Sequence, residues 1–337
     1  MKHATLPAAA LVLAAAGFAT PAAAQDAPTL RVYTYSSFVG RYGPGEAIEA
    51  RFEARCGCNL EWVTADDAGS LLGRLRLEGE HSPADVVLGL DMNLAEQARA
   101  LGLFAPHGAD TSGLDLPIAW EDEVFLPFDW GYLAFVYDET RLSEPPATLE
   151  ALFTDPDGPT VVLQDARTSA PGFGLLLWSE AVFGDGFPEA WAALSPRVVT
   201  FTNGWSEAYG LFLEGEADMV LSYATSPAYH RAVEGEEKYH AAEFAEGHYL
   251  HVEIAAATRT SDEPELARDF LAFMLSDGFQ SLIPEGNWMY PAAMPDAGLP
   301  ESFEGLITPD EAFLFDPARV AAERRALLDA WLEATSR

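Results

Sequence analysis

Apolar and polar residues alternate along Leu30-Arg31-Val32-Tyr33-Thr34-Tyr35, the period of a strand with one buried face. Gly43-Pro44-Gly45 then interrupts the chain, and Ile48 and Phe52 follow four residues apart, the spacing of a helix with one apolar side. Leu60 to Val63 predicts a second strand. Leu71, Leu72 and Leu75 predict the inner face of a helix ending at Gly79, and Ala84 to Leu88 predicts a short buried strand. This β-α-β-α-β succession implies a parallel sheet covered by helices. From Phe125 to Tyr137 the chain is extended with no helical period. The alternation then restarts, with strands at Thr160–Leu163, Arg197–Phe201 and Asp218–Ser222 separated by helices at Gly172–Phe183 and Ser206–Leu213. A second extended stretch, His248–Thr258, leads into helices at Pro264–Met274 and Pro317–Ala334.

Two long extended segments bracketing one α/β unit predict two α/β lobes joined by two crossovers, with a ligand cleft between them where strand ends converge. The expected division is lobe 1 from 25–128 plus 246–337, and lobe 2 from 129–245.

The N-terminus has a different purpose. Met1-Lys2-His3 is basic, Leu6 to Phe18 is apolar, and Ala22-Ala23-Ala24 precedes Gln25. That is the pattern of a secretory signal peptide, expected over residues 1–24. The apolar run is shorter than the roughly 20 residues a permanent span needs, so no direct membrane insertion is expected. Cys56 and Cys58 are the two cysteines of the chain. An exported compartment favours their pairing as a local staple, while a metal or redox dithiol would lack further ligands.

The 337 residues carry 53 Asp and Glu against 19 Lys and Arg, a formal net charge of −34. A field of this sign disfavours nucleic acid and anionic lipid as partners. A surface adaptation to salty surroundings accounts for the bulk charge equally well.

Candidate chemistry lies in loops. Asp66-Asp67-Ala68-Gly69-Ser70, Thr168-Ser169-Ala170-Pro171-Gly172 and Ala224-Thr225-Ser226-Pro227 each approach a helix start with capping residues, where free N–H groups suit an anion. Tyr33, Tyr35, Tyr42, Trp205, Tyr223, Tyr229, Trp288 and Tyr290 stand at strand ends or loops, with Asp67, Asp91 and Asp129 as acids for a cationic heterocycle. Tyr33, Trp62, Trp178 and Trp191 read as ordinary core. The histidines lack metal spacing, and no nucleophile motif or catalytic set emerges, so neither a cofactor nor an enzyme is expected.

Seven ordered motifs carry a resemblance: Val32-Tyr33-Thr34-Tyr35, Arg74-Leu75-Arg76-Leu77-Glu78-Gly79, Ala84 to Asp91, Gln164 to Ser169, Gly204-Trp205-Ser206-Glu207-Ala208-Tyr209-Gly210, Ser222 to Tyr229 and Gly286-Asn287-Trp288-Met289-Tyr290-Pro291. Together with Cys56-Gly57-Cys58, the chain resembles the periplasmic thiamine-binding proteins of ABC importers. The resemblance implies an α/β type II periplasmic-binding-protein fold that closes on thiamine or its mono- and diphosphate and delivers it to an ABC permease. By position it implies ligand contacts at Asp67, Ala68, Ser169, Ala170, Trp205, Tyr223, Ala224, Thr225 and Ser226, with Tyr35, Tyr229 and Trp288 lining or stacking. The chain departs from that family's pattern at Ala68, where glycine is usual, at Ala170 and Ala224, where threonine is usual, and at Tyr42, where tryptophan is usual. Rival readings are a polyamine or ferric-ion receptor and a thiamine-degrading transferase of the same fold.

Overall fold

The computed structural model describes residues 27–336 together with Met1; the expected signal peptide lies outside the described residues except for Met1. Among the described residues, nine strands of three or more residues and twelve α-helices organise the fold. The strands are β1 (Thr29–Tyr35), β2 (Asn59–Ala65), β3 (Val86–Asp91), β4 (Leu126–Asp138), β5 (Val161–Gln164), β6 (Val198–Thr202), β7 (Met219–Tyr223), β8 (Tyr239–Ala241) and β9 (His248–Ala257). The helices are α1 (Gly45–Cys56), α2 (Ala68–Glu78), α3 (Ala95–Arg99), α4 (Leu149–Thr154), α5 (Ala170–Phe183), α6 (Phe187–Leu194), α7 (Trp205–Glu214), α8 (Pro227–Tyr229), α9 (Pro264–Met274), α10 (Asp277–Gln280), α11 (Ile283–Gly286) and α12 (Pro317–Thr335). Three- to five-residue helical turns and the two-residue strands Tyr290–Pro291 and Ala312–Phe313 complete the described elements.

Among the described residues the strands run in the order β2-β1-β3-β9-β4-β7-β5-β6. Parallel pairs β1/β2 and β1/β3 build one lobe, and parallel pairs β5/β6 and β5/β7 build the other. The two long strands join them. The first half of β4, Leu126 to Tyr132, pairs antiparallel with β9, and its second half, Leu133 to Tyr137, pairs antiparallel with β7. β9 also pairs antiparallel with β3, so the extended segments expected as crossovers form the seam of the molecule. Both strands are buried almost throughout, which is why they read as apolar runs rather than clean alternations.

Separate apolar clusters fill the lobes. Val32, Ile48, Phe52, Val86, Leu88 and Phe270 pack under α1 and α9. Leu133, Phe153, Leu163, Trp178, Trp191 and Leu221 pack in the second lobe. Tyr33, Trp178 and Trp191 are buried core residues and Trp62 packs partly buried against Phe38 and Phe270, as expected for them. Cys56 and Cys58 are bonded to each other just beyond α1, where Gly57 at φ +64° ends the helix in the left-handed conformation glycine adopts without strain.

One assignment differs from expectation. The last helix, α12, was expected in lobe 1 with residues 246–337, but its apolar side packs on lobe 2. Trp331 meets Trp191 and Phe201 at ring-centroid distances of 6.2 and 5.3 Å, the Arg324 guanidinium lies 3.8 Å from the Phe173 ring centre, and Arg319 pairs with Glu180 at 2.7 Å. Large aromatic area attracts the helix there, whatever side of the crossover it follows in sequence.

Candidate functional site

The lobes meet at α2 and α5. Asp67 is the N-cap of α2, and its Oδ1 accepts the Ala68 N–H at 2.7 Å. The same oxygen accepts the Ala170 N–H at 3.1 Å, at the start of α5 in the other lobe. The Ser70 N–H donates to the Thr168 carbonyl at 3.1 Å. This approach needs glycine at Gly69, where a Cβ would stand 2.6 Å from the Thr168 carbonyl oxygen. Asp67 is thus a buried carboxylate joining both lobes. Burial raises its pKa to about 6, against the opposing pull of the Ala170 and Ala68 amides.

Beside this seam lies a cavity of about 350 Å³, at the small end of the range for small-molecule sites. Its lining includes seven of the expected residues: Tyr35, Asp67, Trp205, Tyr223, Ser226, Tyr229 and Trp288. The side chains of Ala68, Ala170 and Ala224 are buried in the core instead. Ser169 turns inward to accept the Gly172 N–H at 3.4 Å, and the Thr225 hydroxyl faces the Met289 sulfur at 4.0 Å. The third expected anion loop also differs. Ser226 does not cap a helix through its side chain; its hydroxyl accepts the Tyr223 N–H at 3.2 Å and pairs with Ser222 at 2.7 Å, and α8 is a single turn continued by a wider π turn over His230–Glu234.

The aromatic side of the cavity is braced from behind. Trp205 stacks on Tyr209 at 4.9 Å and 27°, and its indole N–H donates to the Ser222 hydroxyl at 2.8 Å. Tyr229 meets Trp288 edge-on at 5.3 Å and Tyr42 at 5.5 Å. Trp288 has φ +57°, the one positive φ outside glycine among the described residues. It follows α11, where the Asn287 and Trp288 N–H groups both donate to the Ile283 carbonyl, at 2.8 and 3.1 Å. A left-handed tryptophan costs about 1–2 kcal/mol, and here it brings both Asn287 and the indole into the cavity lining.

The floor is polar and acidic. The Tyr35 hydroxyl donates to Glu253 Oε2 at 2.6 Å, and Asn287 Nδ2 donates to Asp129 Oδ2 at 2.6 Å and to the Tyr35 oxygen at 2.9 Å. Gly89, at φ +98° in the bulge of β3, makes room for Tyr35: a Cβ would stand 2.3 Å from its ring. His251 is fully buried between Asp91 and Glu253, 3.7 Å from a carboxylate oxygen of each. Burial pulls His251 down, but these two acids outweigh it and hold the imidazole above its ordinary pKa. Burial, with Glu253 next to it, holds Asp129 well above the carboxylate range and pushes Tyr35 and Tyr223 upward.

Sequence reasoning named Asp91 and Asp129 as nearby acids but missed Glu253, Asn287, Tyr209 and Met289, all of which line the cavity. The signal for Glu253 was present: a lone acid within the apolar run His248 to Ala257. His251, one of the histidines read as lacking metal spacing, is wholly inside this acidic set.

The two lobes, the crossover strands and the cavity beside their seam make a solute-binding architecture, and the bacterial extracellular solute-binding protein profile matches residues 42–281. The chain belongs to that family. It is 52% identical to the thiamine-binding periplasmic protein of Escherichia coli (strain K12), over 92% of this chain and 94% of that one. It is 48% identical to the thiamine-binding periplasmic protein of Brucella abortus biovar 1 (strain 9-941), over 97% of each. A solved structure of a periplasmic thiamin binding protein superposes with a TM-score of 0.91 at 51% identity, covering 95% of this chain and all of that one.

Proposed function

We propose that this protein is a periplasmic receptor that captures thiamine between its lobes and delivers it to an ABC permease. The observation that carries the reading is the cavity itself: an aromatic wall facing a carboxylate floor, in a chain about half identical to thiamine-binding relatives along nearly its whole length. Thiamine joins a flat aminopyrimidine to a cationic thiazolium. Trp205, Tyr223, Tyr229 and Trp288 suit the flat rings, while Asp67 and Glu253 suit the positive charge. The mono- and diphosphate esters belong to the proposed ligand set as well.

The rival readings have less in this cavity. Among the described residues no group of three or more His, Cys, Asp or Glu is arranged to hold a metal ion. A thiamine-degrading transferase acts through a nucleophile beside a base; Cys56 and Cys58 are bonded to each other and neither lines the cavity. We therefore take the protein as a binding protein without catalytic activity.

Isothermal titration with thiamine, spermidine and Fe³⁺ tests the reading. Saturable heat with thiamine and none with the other two is expected; the reverse pattern would sink it. Incubation with thiamine and a nucleophilic amine should leave thiamine intact by mass spectrometry, and released thiazole would revive the transferase.

A further inference from the structure

The floor of the cavity gathers more acidic than basic side chains. Glu253 (β9) and Asp67 (before α2) line it, with Asp129 (β4) and Asp91 (β3) buried directly behind. Facing Glu253 are Tyr35 from β1, Asp129 from β4, Asp91 from β3, Tyr223 from β7, His251 from β9 itself, Asp67 and the uncharged Asn287. His251 is the one basic group among them, and it is shared with Asp91, on which Arg324 also acts. The basic group that does line the cavity, Arg41, is exposed at the rim and stacks over Tyr42 at 5.2 Å.

Two further observations point to an absent charge. Asp129 Oδ1 is buried with no hydrogen-bond donor, and both ring nitrogens of the fully buried His251 lack hydrogen-bond partners. Glu253, by contrast, is fixed in place: the Tyr35 hydroxyl is 2.6 Å from its Oε2 and the Asn287 amide 3.4 Å. A carboxylate held rigidly, lining the space and short of counter-charge is suited to a cation delivered by the ligand.

We propose that Glu253, held by Tyr35 and Asn287 and backed by Asp129, is the residue through which the cavity selects a positively charged ring over a neutral ring of the same shape. This rests on the thiamine-receptor reading. Glu253 touches the ligand; Asp129 and Asn287 position it. A consequence follows for protons. Glu253 is one of the groups that hold the Asp129 carboxyl above its ordinary range; a cationic ring against Glu253 offsets that repulsion and favours loss of a proton from Asp129 to solvent. Capture of thiamine then favours proton release from Asp129, and capture of a neutral analogue does not.

The probe is the carbon isostere of thiamine in which the thiazolium nitrogen is replaced by carbon, leaving shape but no charge. In calorimetry at pH 7 the unmodified protein should bind thiamine at least about tenfold tighter than the isostere, the direction a close carboxylate dictates at an effective dielectric near 20. Thiamine titrations in buffers of different ionisation enthalpy should reveal released protons. In Glu253→Gln the preference should fall below about threefold and the proton release should vanish, while the isostere still binds. Equal affinity of the unmodified protein for both compounds overturns the proposal without help from any variant. An unchanged preference in Glu253→Gln also overturns it, and loss of preference in Asp67→Asn alone transfers the role to Asp67. If the unmodified protein binds neither compound, it is the receptor reading that fails. Where Glu253→Gln does not fold by circular dichroism, Asp129→Asn serves in its place, with the same loss of proton release expected and its retention counting against the pair.

Discussion

Two sets of helix ends face the cleft, and they are finished differently. The starts of α2 and α5 are closed on each other through Asp67, which takes one N–H from each lobe, and Ser169 caps α5 a second time. The start of α7 is open: its N-cap is Gly204, which has no side chain to accept its amides, and Trp205 and Ser206 of its first turn line the cavity. One set holds the lobes together and the other meets the ligand space. A helix N-terminus is therefore an anion site only where the protein has not already supplied the anion. Small residues and cap residues look alike in both sets, and only the partner from across the cleft separates them.

The largest effect should come from breaking the closed set. Asp67→Ala leaves the buried Ala68 and Ala170 N–H groups without an acceptor, at about 1–3 kcal/mol each, whereas Asp67→Asn keeps an acceptor and removes the charge. Denaturant unfolding at pH 7 should place the alanine variant about 2–6 kcal/mol below the asparagine variant. The pH dependence has a definite sign. Burial raises Asp67 from 3.8 to about 6, so between these values the folded protein binds more protons than the unfolded chain. Stability from this group is greatest at low pH, falls as pH rises from about 4 to about 6, and is level above, a change on the order of 2–3 kcal/mol at 1.36 kcal/mol per unit. Subtracting the Asp67→Asn profile from that of the unmodified protein isolates the slope. A flat difference would mean that water reaches the carboxylate and the seam is not closed in solution.

The open set is broken by Trp205→Ala, which removes an aromatic face and the support of Tyr209 while leaving the Asp67 contacts intact. Thiamine affinity should fall by about 1–3 kcal/mol, measured by calorimetry, with little change in unfolding free energy. An unchanged dissociation constant in the folded variant would place the rings of the ligand elsewhere.

How far the sequence reaches into this comparison depends on the interaction. Most strands, the principal helices and the two crossovers follow from local periodicity, so they were legible within two or three residues, as for the helix read at Gly172–Phe183 and found at Ala170–Phe183 and the strand read at Ala84–Leu88 and found at Val86–Asp91; the short β8 was not read. The aromatic side was legible because Trp205, Tyr229 and Trp288 sit at loop and helix starts, where core packing does not demand them. The bond from Asp67 to Ala170 spans 103 residues and has no local trace. Glu253 was passed over because a single acid in a buried strand carries no period, and α12 was placed with the wrong lobe because amphipathicity tells that a helix packs but not on what. Ala68 and Ala170 were named as ligand contacts, whereas their side chains are core and their amides are already used by Asp67.

The smallest effect concerns the phosphate esters, and it sharpens the comparison most. A phosphate entering the α2/α5 junction would meet the Asp67 carboxylate at contact distance, so the closed set repels it. At α7 it meets uncapped amides and the positive end of a ten-residue helix, worth about 0.3–1 kcal/mol, opposed in part by Glu207 in the same turn. The net charge of −34 acts at longer range and is screened beyond about 8–10 Å at physiological ionic strength. These small terms nearly cancel, so thiamine monophosphate should bind within about tenfold of thiamine, or about 1.4 kcal/mol. Ser206→Asp puts a second carboxylate into the first turn of α7 and should weaken the ester relative to thiamine by about two- to fivefold, the same 0.3–1 kcal/mol with its sign reversed. Calorimetry of both ligands against both proteins reads this ratio. If Ser206→Asp leaves the ratio unchanged while Asp67→Asn favours the ester, the phosphate enters the junction between α2 and α5, and the closed set opens to admit it.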